Sequence, residues 1–158
     1  MNDVLAAAEY LAKQPGVDPK RIYLGGHSTG GTLVLLTSEL SPRFRAVFSF
    51  GPIDDVTGYG EEFVPADLNN EKETALRSPG LWLDSIKSQT FVFEGTDGQS
   101  NIDAHQAMSR KAFNRNVHFY ALHGSDHFSV LAPTTKLLAK AVARDTGSGI
   151  FTFNPSAK

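Results

Sequence analysis

Ser28 stands inside "GGHSTGG" (Gly25 to Gly31), where a β-prone run gives way to an aliphatic one. A serine hydroxyl is a poor nucleophile unless a base takes its proton. Glycines on either side permit a tight strand-to-helix turn that exposes the hydroxyl, and the helix N-terminus behind it favours developing negative charge. The backbone N–H of Thr29 is then placed to hold an oxyanion. The pattern is short, and glycine–serine loops also serve as plain connections. The rest of the chain must supply a base and an acid.

His127, in "HGSDHFSVL" (His123 to Leu131), is the candidate base, because it follows the last β-prone run and precedes the last helical one. The other histidines read as structural. His27 supports the turn beside the serine, His105 lies on a helix, His118 alternates within a strand and His123 ends that strand. Asp97, in "FEGTDG", is the preferred acid, since it follows a strand and could orient an imidazole and stabilise its charged form. Asp103, Asp54 and Asp55 remain alternatives, and the plainer role of all four is to cap a turn or a helix.

These residues need a scaffold that gathers them, and the patterning predicts one. Apolar positions at helical spacing run from Asp3 to Lys13 and end at "QPGVDP". A short strand is expected over Arg21–Leu24, a helix over Thr29–Leu40, and a strand buried on both faces in "FRAVFSF" (Phe44–Phe50). Residues 51–88 read as an irregular insertion or site wall, rich in glycine, proline and charge towards its start, with at most a short helix. Phe63, Trp82 and Tyr59 there could wall a pocket, although ordinary packing is the simpler reading. Then come a strand over Gln89–Gly95, a helix over Ala104–Phe113, a strand over Val117–Leu122 and a closing helix over Val130–Ala143. Phe151 and Phe153 in the tail either pack on the body or fray with it. Alternating strands and helices imply a parallel sheet, in an α/β three-layer sandwich of about four strands. Active sites in such sheets lie beyond the carboxyl ends of the strands, where Ser28, Asp54, Asp55, Asp97 and His127 all fall.

Composition narrows the field. The 158 residues suit a single domain, and the net charge of −2 gives no basic footprint for nucleic acid or for an anionic membrane surface. No cysteine is present, which removes disulfides, thiolate metal sites and a cysteine nucleophile. "MNDVLAAAEYLAKQPG" lacks the apolar core of a signal peptide, and no apolar run is long enough to span a bilayer. The expected compartment is the cytoplasm, and no cofactor or metal is expected.

From "AAAEYLAKQPGVDPKRIYLGGHSTGG" to "HGSDHFSVLAP" the chain resembles the α/β-hydrolase superfamily, in particular its prolyl-oligopeptidase-like and dienelactone-hydrolase-like members. The order serine, acid, histidine is that of the superfamily. The resemblance implies a serine hydrolase acting without a cofactor on an ester or peptide, with Ser28 as nucleophile and His127 as base. Two departures are visible. The family places its acid as G-x-x-D after the strand, and the matching position here is Gly98, one beyond Asp97. The chain also starts at the helix before the elbow strand, so it reads as the C-terminal half of the fold, a truncated α/β-hydrolase. The H-G-G type loop that donates a second oxyanion N–H is then missing, and losing one such donor costs about 2.7–4 kcal/mol of transition-state stabilisation. The elbow strand becomes an open edge. Three explanations follow: a truncated product, a homo-oligomer pairing through that edge, or a catalytically inactive module for assembly or binding.

Overall fold

A computed structural model of the chain describes residues 1–155. Four parallel strands form one sheet in the order β1-β2-β3-β4: Tyr23–His27, Ala46–Phe50, Gln89–Gly95 and Val117–Leu122. A sheet whose spatial order follows the chain, joined by crossovers of one hand, carries all its crossover helices on one face. The packing agrees. Leu35 of α2 (Thr29–Leu40) and Met108 of α4 (Ile102–Lys111) share one cluster with Val92 and Val117. Ala8 of α1 (Asn2–Ala12) joins Val34 and Val47 beside them.

The opposite face therefore has to be covered from outside the crossovers. The alternating side chains Ala46, Phe48 and Phe50 of β2, with Phe91 and Phe93 of β3, point there. Val130, at the N-cap of the closing helix α5 (Leu131–Arg144), and Leu138 within it cover them, together with Phe151 of the tail. Phe151 sits edge-on to Tyr23, Phe48 and Phe91, so the tail packs down. The result is the expected three layers, helix on sheet on helix.

One boundary differs from the expectation by more than a residue or two. The first strand does not stop at Leu24; it continues through Gly25 and Gly26 to His27, paired with Phe48, Ser49 and Phe50. The glycine pair belongs to the ladder, and the turn begins only at Ser28. Residues 51–88 hold short 3₁₀ turns at Val56–Tyr59, Glu61–Phe63, Pro79–Leu81 and Leu83–Ser85, with one short helix, α3 (Glu71–Leu76). Asn70 caps α3 by accepting from the N–H groups of Lys72 and Glu73. Thr32 in α2 pins this segment to the elbow. Its hydroxyl accepts the Ile53 N–H at 3.1 Å and lies 2.7 Å from the Tyr59 hydroxyl.

Candidate active site

The carboxyl ends of β1, β2 and β3 and the loop after β4 meet at one place. Ser28 leaves β1 with its N–H still donating to Phe50 O at 2.8 Å, while its own carbonyl already accepts from Thr32 N at 3.0 Å. A residue that belongs to a strand by its N–H and to a helix by its C=O must turn within itself. Ser28 does so at φ 57° and ψ −119°, the one non-glycine residue with positive φ among the described residues. Backbone of this kind costs about 1–3 kcal/mol and persists only where its surroundings enforce it. Here the ladder bond to Phe50 and the first turn of α2 enforce it, and the glycines around it leave the room. A Cβ on Gly26 would lie 2.2 Å from Gly30 O, and one on Gly31 would lie 2.4 Å from Phe50 O. Gly30, the second glycine of the G-x-S-x-G pattern, faces open space. Steric need therefore falls on Gly26 and Gly31.

Thr29 begins α2, so its N–H has no carbonyl four residues back within the helix and is free to serve an oxyanion. His127 comes alongside from the loop after β4. That loop is tied across the end of β3 by bonds from Asp97 N to Ser125 O (2.9 Å) and from His127 N to Gln99 O (3.1 Å). Gly95 makes the closeness possible, because a Cβ there would stand 2.3 Å from Ser125 O. His27 fastens the loop on the other side: its Nε2 is 2.9 Å from His127 O, and the two imidazoles lie 4.5 Å apart. The contacts of the His27 side chain thus run to the neighbouring loop.

The carboxylate on His127 is Glu94, whose Oε2 lies 3.1 Å from Nδ1. The site residue favoured from sequence, Asp97, is exposed, its Oδ1 accepting from the Thr96 hydroxyl at 2.7 Å. Asp55 caps the first 3₁₀ turn by accepting from Thr57 N–H and Oγ1–H, which hold its carboxyl below the usual range. Asp103 lies exposed in the first turn of α4, and Asp54 uses its backbone carbonyl to receive Gly80 N–H. None of these four aspartates bonds to His127. Of the remaining histidines, His118 stacks on Phe91 and meets Gln89, and His123 meets the Thr96 hydroxyl. His105 is buried against Phe119.

Gly51 was also not singled out from sequence. It sits just past β2 at φ 58°, and a Cβ there would come within 2.4 Å of His127 Cε1 and 2.9 Å of Glu94 Oε2. Its place directly after a fully buried strand was the available signal.

His127 Nε2 makes no hydrogen bond within the described residues, yet it is not sealed from solvent. No hydrogen bond joins Ser28 to His127. The arrangement thus holds a half-buried, strained serine beside a histidine whose inner nitrogen is occupied and whose outer nitrogen is open.

A parallel sheet with this elbow and this histidine loop defines an α/β-hydrolase. A profile of the prolyl oligopeptidase family (peptidase S9) matches residues 1–97, and the chain belongs to that family of hydrolases. It is 34% identical over 85 residues to the thiohydrolase aneE of Aspergillus aculeatus, covering 51% of this chain and 26% of that protein. In fold it is similar to a puromycin-hydrolyzing peptidase of Mycobacterium tuberculosis, with a TM-score of 0.73 and 20% identity over 98% of this chain and 26% of that one. An acylaminoacyl peptidase of Pyrococcus horikoshii is alike, with a TM-score of 0.73 and 17% identity over 96% of this chain and 28% of that one. The chain spans about a quarter of the length of these relatives. Among the described residues no helix is long and apolar enough to cross a membrane, and no group of His, Asp and Glu is placed to hold a metal.

Proposed function

We propose that the protein is a serine hydrolase that cleaves an acyl bond, ester or peptide, through an acyl-enzyme on Ser28. The observation that carries this reading is the Ser28 backbone at φ 57°, a strain that gains the fold nothing unless the hydroxyl must be exposed. Ser28 Oγ attacks the acyl carbon as its proton passes to His127 Nε2, the open nitrogen. The Thr29 N–H receives the oxyanion. The protonated imidazole then gives its proton to the departing alcohol, amine or thiol, and water repeats the sequence to release the acid. The gap between Ser28 and His127 closes on substrate, as hydrogen bonds of this kind tighten in the bound complex. The relative named as a thiohydrolase adds thioesters to the bonds worth testing.

A fluorophosphonate probe tests the reading. Wild-type protein should label, and Ser28→Ala and His127→Gln should not. Equal labelling of wild type and Ser28→Ala would defeat it.

A second reading has one observation in its favour: β1 is an edge of the sheet, paired on the β2 side alone. An edge of this kind can pair with another chain, and the protein would then act as an assembly module. Light scattering that gives a dimer mass, together with absent labelling, would select that reading; a monomer mass near 17.1 kDa would remove self-association.

A further inference from the structure

The carboxylate partner of His127 lies inside a strand. We propose that Glu94, from β3, is the positioning acid of the site, in place of Asp97 or any acid in the loop beyond it. The proposal rests on the serine-hydrolase reading above.

Glu94 follows Thr90 and Val92 along the face of β3 that the crossover helices cover, and it is fully buried. A carboxyl group so placed needs partners for its lone pairs. It has three: Gly95 N–H donates to Oε1 at 2.8 Å, Asn101 N–H donates to Oε2 at 3.0 Å, and His127 Nδ1 lies 3.1 Å from Oε2. The two backbone donors fix the carboxylate, which fixes the imidazole. A carboxylate only accepts, so the ring must carry its proton on Nδ1 and present a lone pair at Nε2. That is the tautomer a base for Ser28 requires.

The surroundings are shaped to this pair. Gly51 leaves room where any Cβ would strike both the ring and the carboxylate, and the Asn101 side chain donates to Gly51 O at 2.9 Å, bracing the same corner. The position where the family pattern would put an acid is Gly98, which adopts φ 58°, a conformation L side chains rarely take. The loop is built for glycine there, and the acid is supplied from below it.

The test combines one signature independent of turnover with a rate. In proton NMR, the wild-type protein should show a downfield Nδ1–H resonance that disappears in His127→Gln. It should persist in Asp97→Asn and be lost or moved far upfield in Glu94→Gln. Fluorophosphonate labelling should fall about 10³-fold or more in Glu94→Gln, as when the orienting carboxylate of a triad becomes an amide. In Asp97→Asn it should stay within about twofold of wild type. Loss of the resonance in Asp97→Asn, or its survival in Glu94→Gln, overturns the proposal. Should Glu94→Gln fail to fold, the wild-type and Asp97→Asn spectra still decide between the two acids. Failure of the hydrolase reading looks different: the resonance follows Glu94 as stated while no form of the protein labels.

Discussion

At the scale of single residues, the site is a set of enforced exceptions. Ser28 holds a backbone conformation it would not choose, and the force comes from the ladder bond to Phe50 on one side and the first turn of α2 on the other. Replacing it with glycine removes that strain, about 1–3 kcal/mol, and adds back about 0.5–1 kcal/mol of backbone entropy. Ser28→Gly is therefore expected to abolish labelling and raise the melting temperature by a few degrees. Differential scanning calorimetry checks this, and a lower melting temperature would mean that Ser28 is relaxed rather than strained. As candidates, Ser28 was legible because a motif announces it, and His127 because chain order does. Glu94 was not, because the acid of such a site is expected after a strand, among loops, and not inside one. The signal was present all the same: "TFVFEG" is otherwise apolar or uncharged, and a carboxylate inside a buried strand demands a partner.

At the scale of elements, the strand and helix periodicity was readable because β2, β3 and β4 are short, largely apolar runs bounded by breakers. The limits of α2, β3 and β4 match their sequence patterns residue for residue. The end of β1 was misjudged because two glycines look like a turn, whereas Gly25 and Gly26 pair in the ladder and Gly26 keeps its place because Gly30 O presses against it. Residues 51–88 could be marked as irregular but not traced, since their shape depends on single long-range bonds rather than on periodicity. Thr32 makes two of them, to Ile53 and to Tyr59. Thr32→Val keeps the volume but strips the acceptor from Ile53 N–H, a buried group, and the partner from Tyr59 OH. Leaving a buried donor unsatisfied costs about 1–3 kcal/mol. Urea unfolding should show that loss with an unchanged m-value, and proteolysis should cut within 51–88 sooner than in wild type. A loss below about 0.5 kcal/mol would mean that the segment is held elsewhere.

At the scale of the whole molecule, stability depends on groups remote from Ser28, and their titration runs in opposite directions. Asp145, at the end of α5, receives the forked guanidinium of Arg45 and the hydroxyl of Tyr23, and these bonds hold its carboxyl far below the ordinary range. Its contribution is present above pH 3.8 and is lost as the pH falls. Burial lowers His105 and His118, so both resist protonation in the fold and also favour it towards neutral pH. Glu39 works the other way. It lies at the end of α2 near Asp84 and Lys87, with Oε1 buried and without a hydrogen bond, and desolvation pushes its carboxyl up to about 8. The unfolded chain releases this proton near 4.5, while the folded protein keeps it to about 8. Between those limits the native state holds more protons, so each step up in pH disfavours it, by at most about 1.4 kcal/mol per unit. The stabilising share of Glu39 is thus whole below pH 4.5 and lost as the pH rises through 8. Because Asp145, His105 and His118 are common to both proteins, the difference between wild type and Glu39→Gln isolates this one group. Chemical unfolding at a series of pH values should give curves that run together below pH 4.5 and separate steadily up to about 8, with the variant the more stable. Parallel curves across that window would show that water reaches the Glu39 carboxylate in the folded protein.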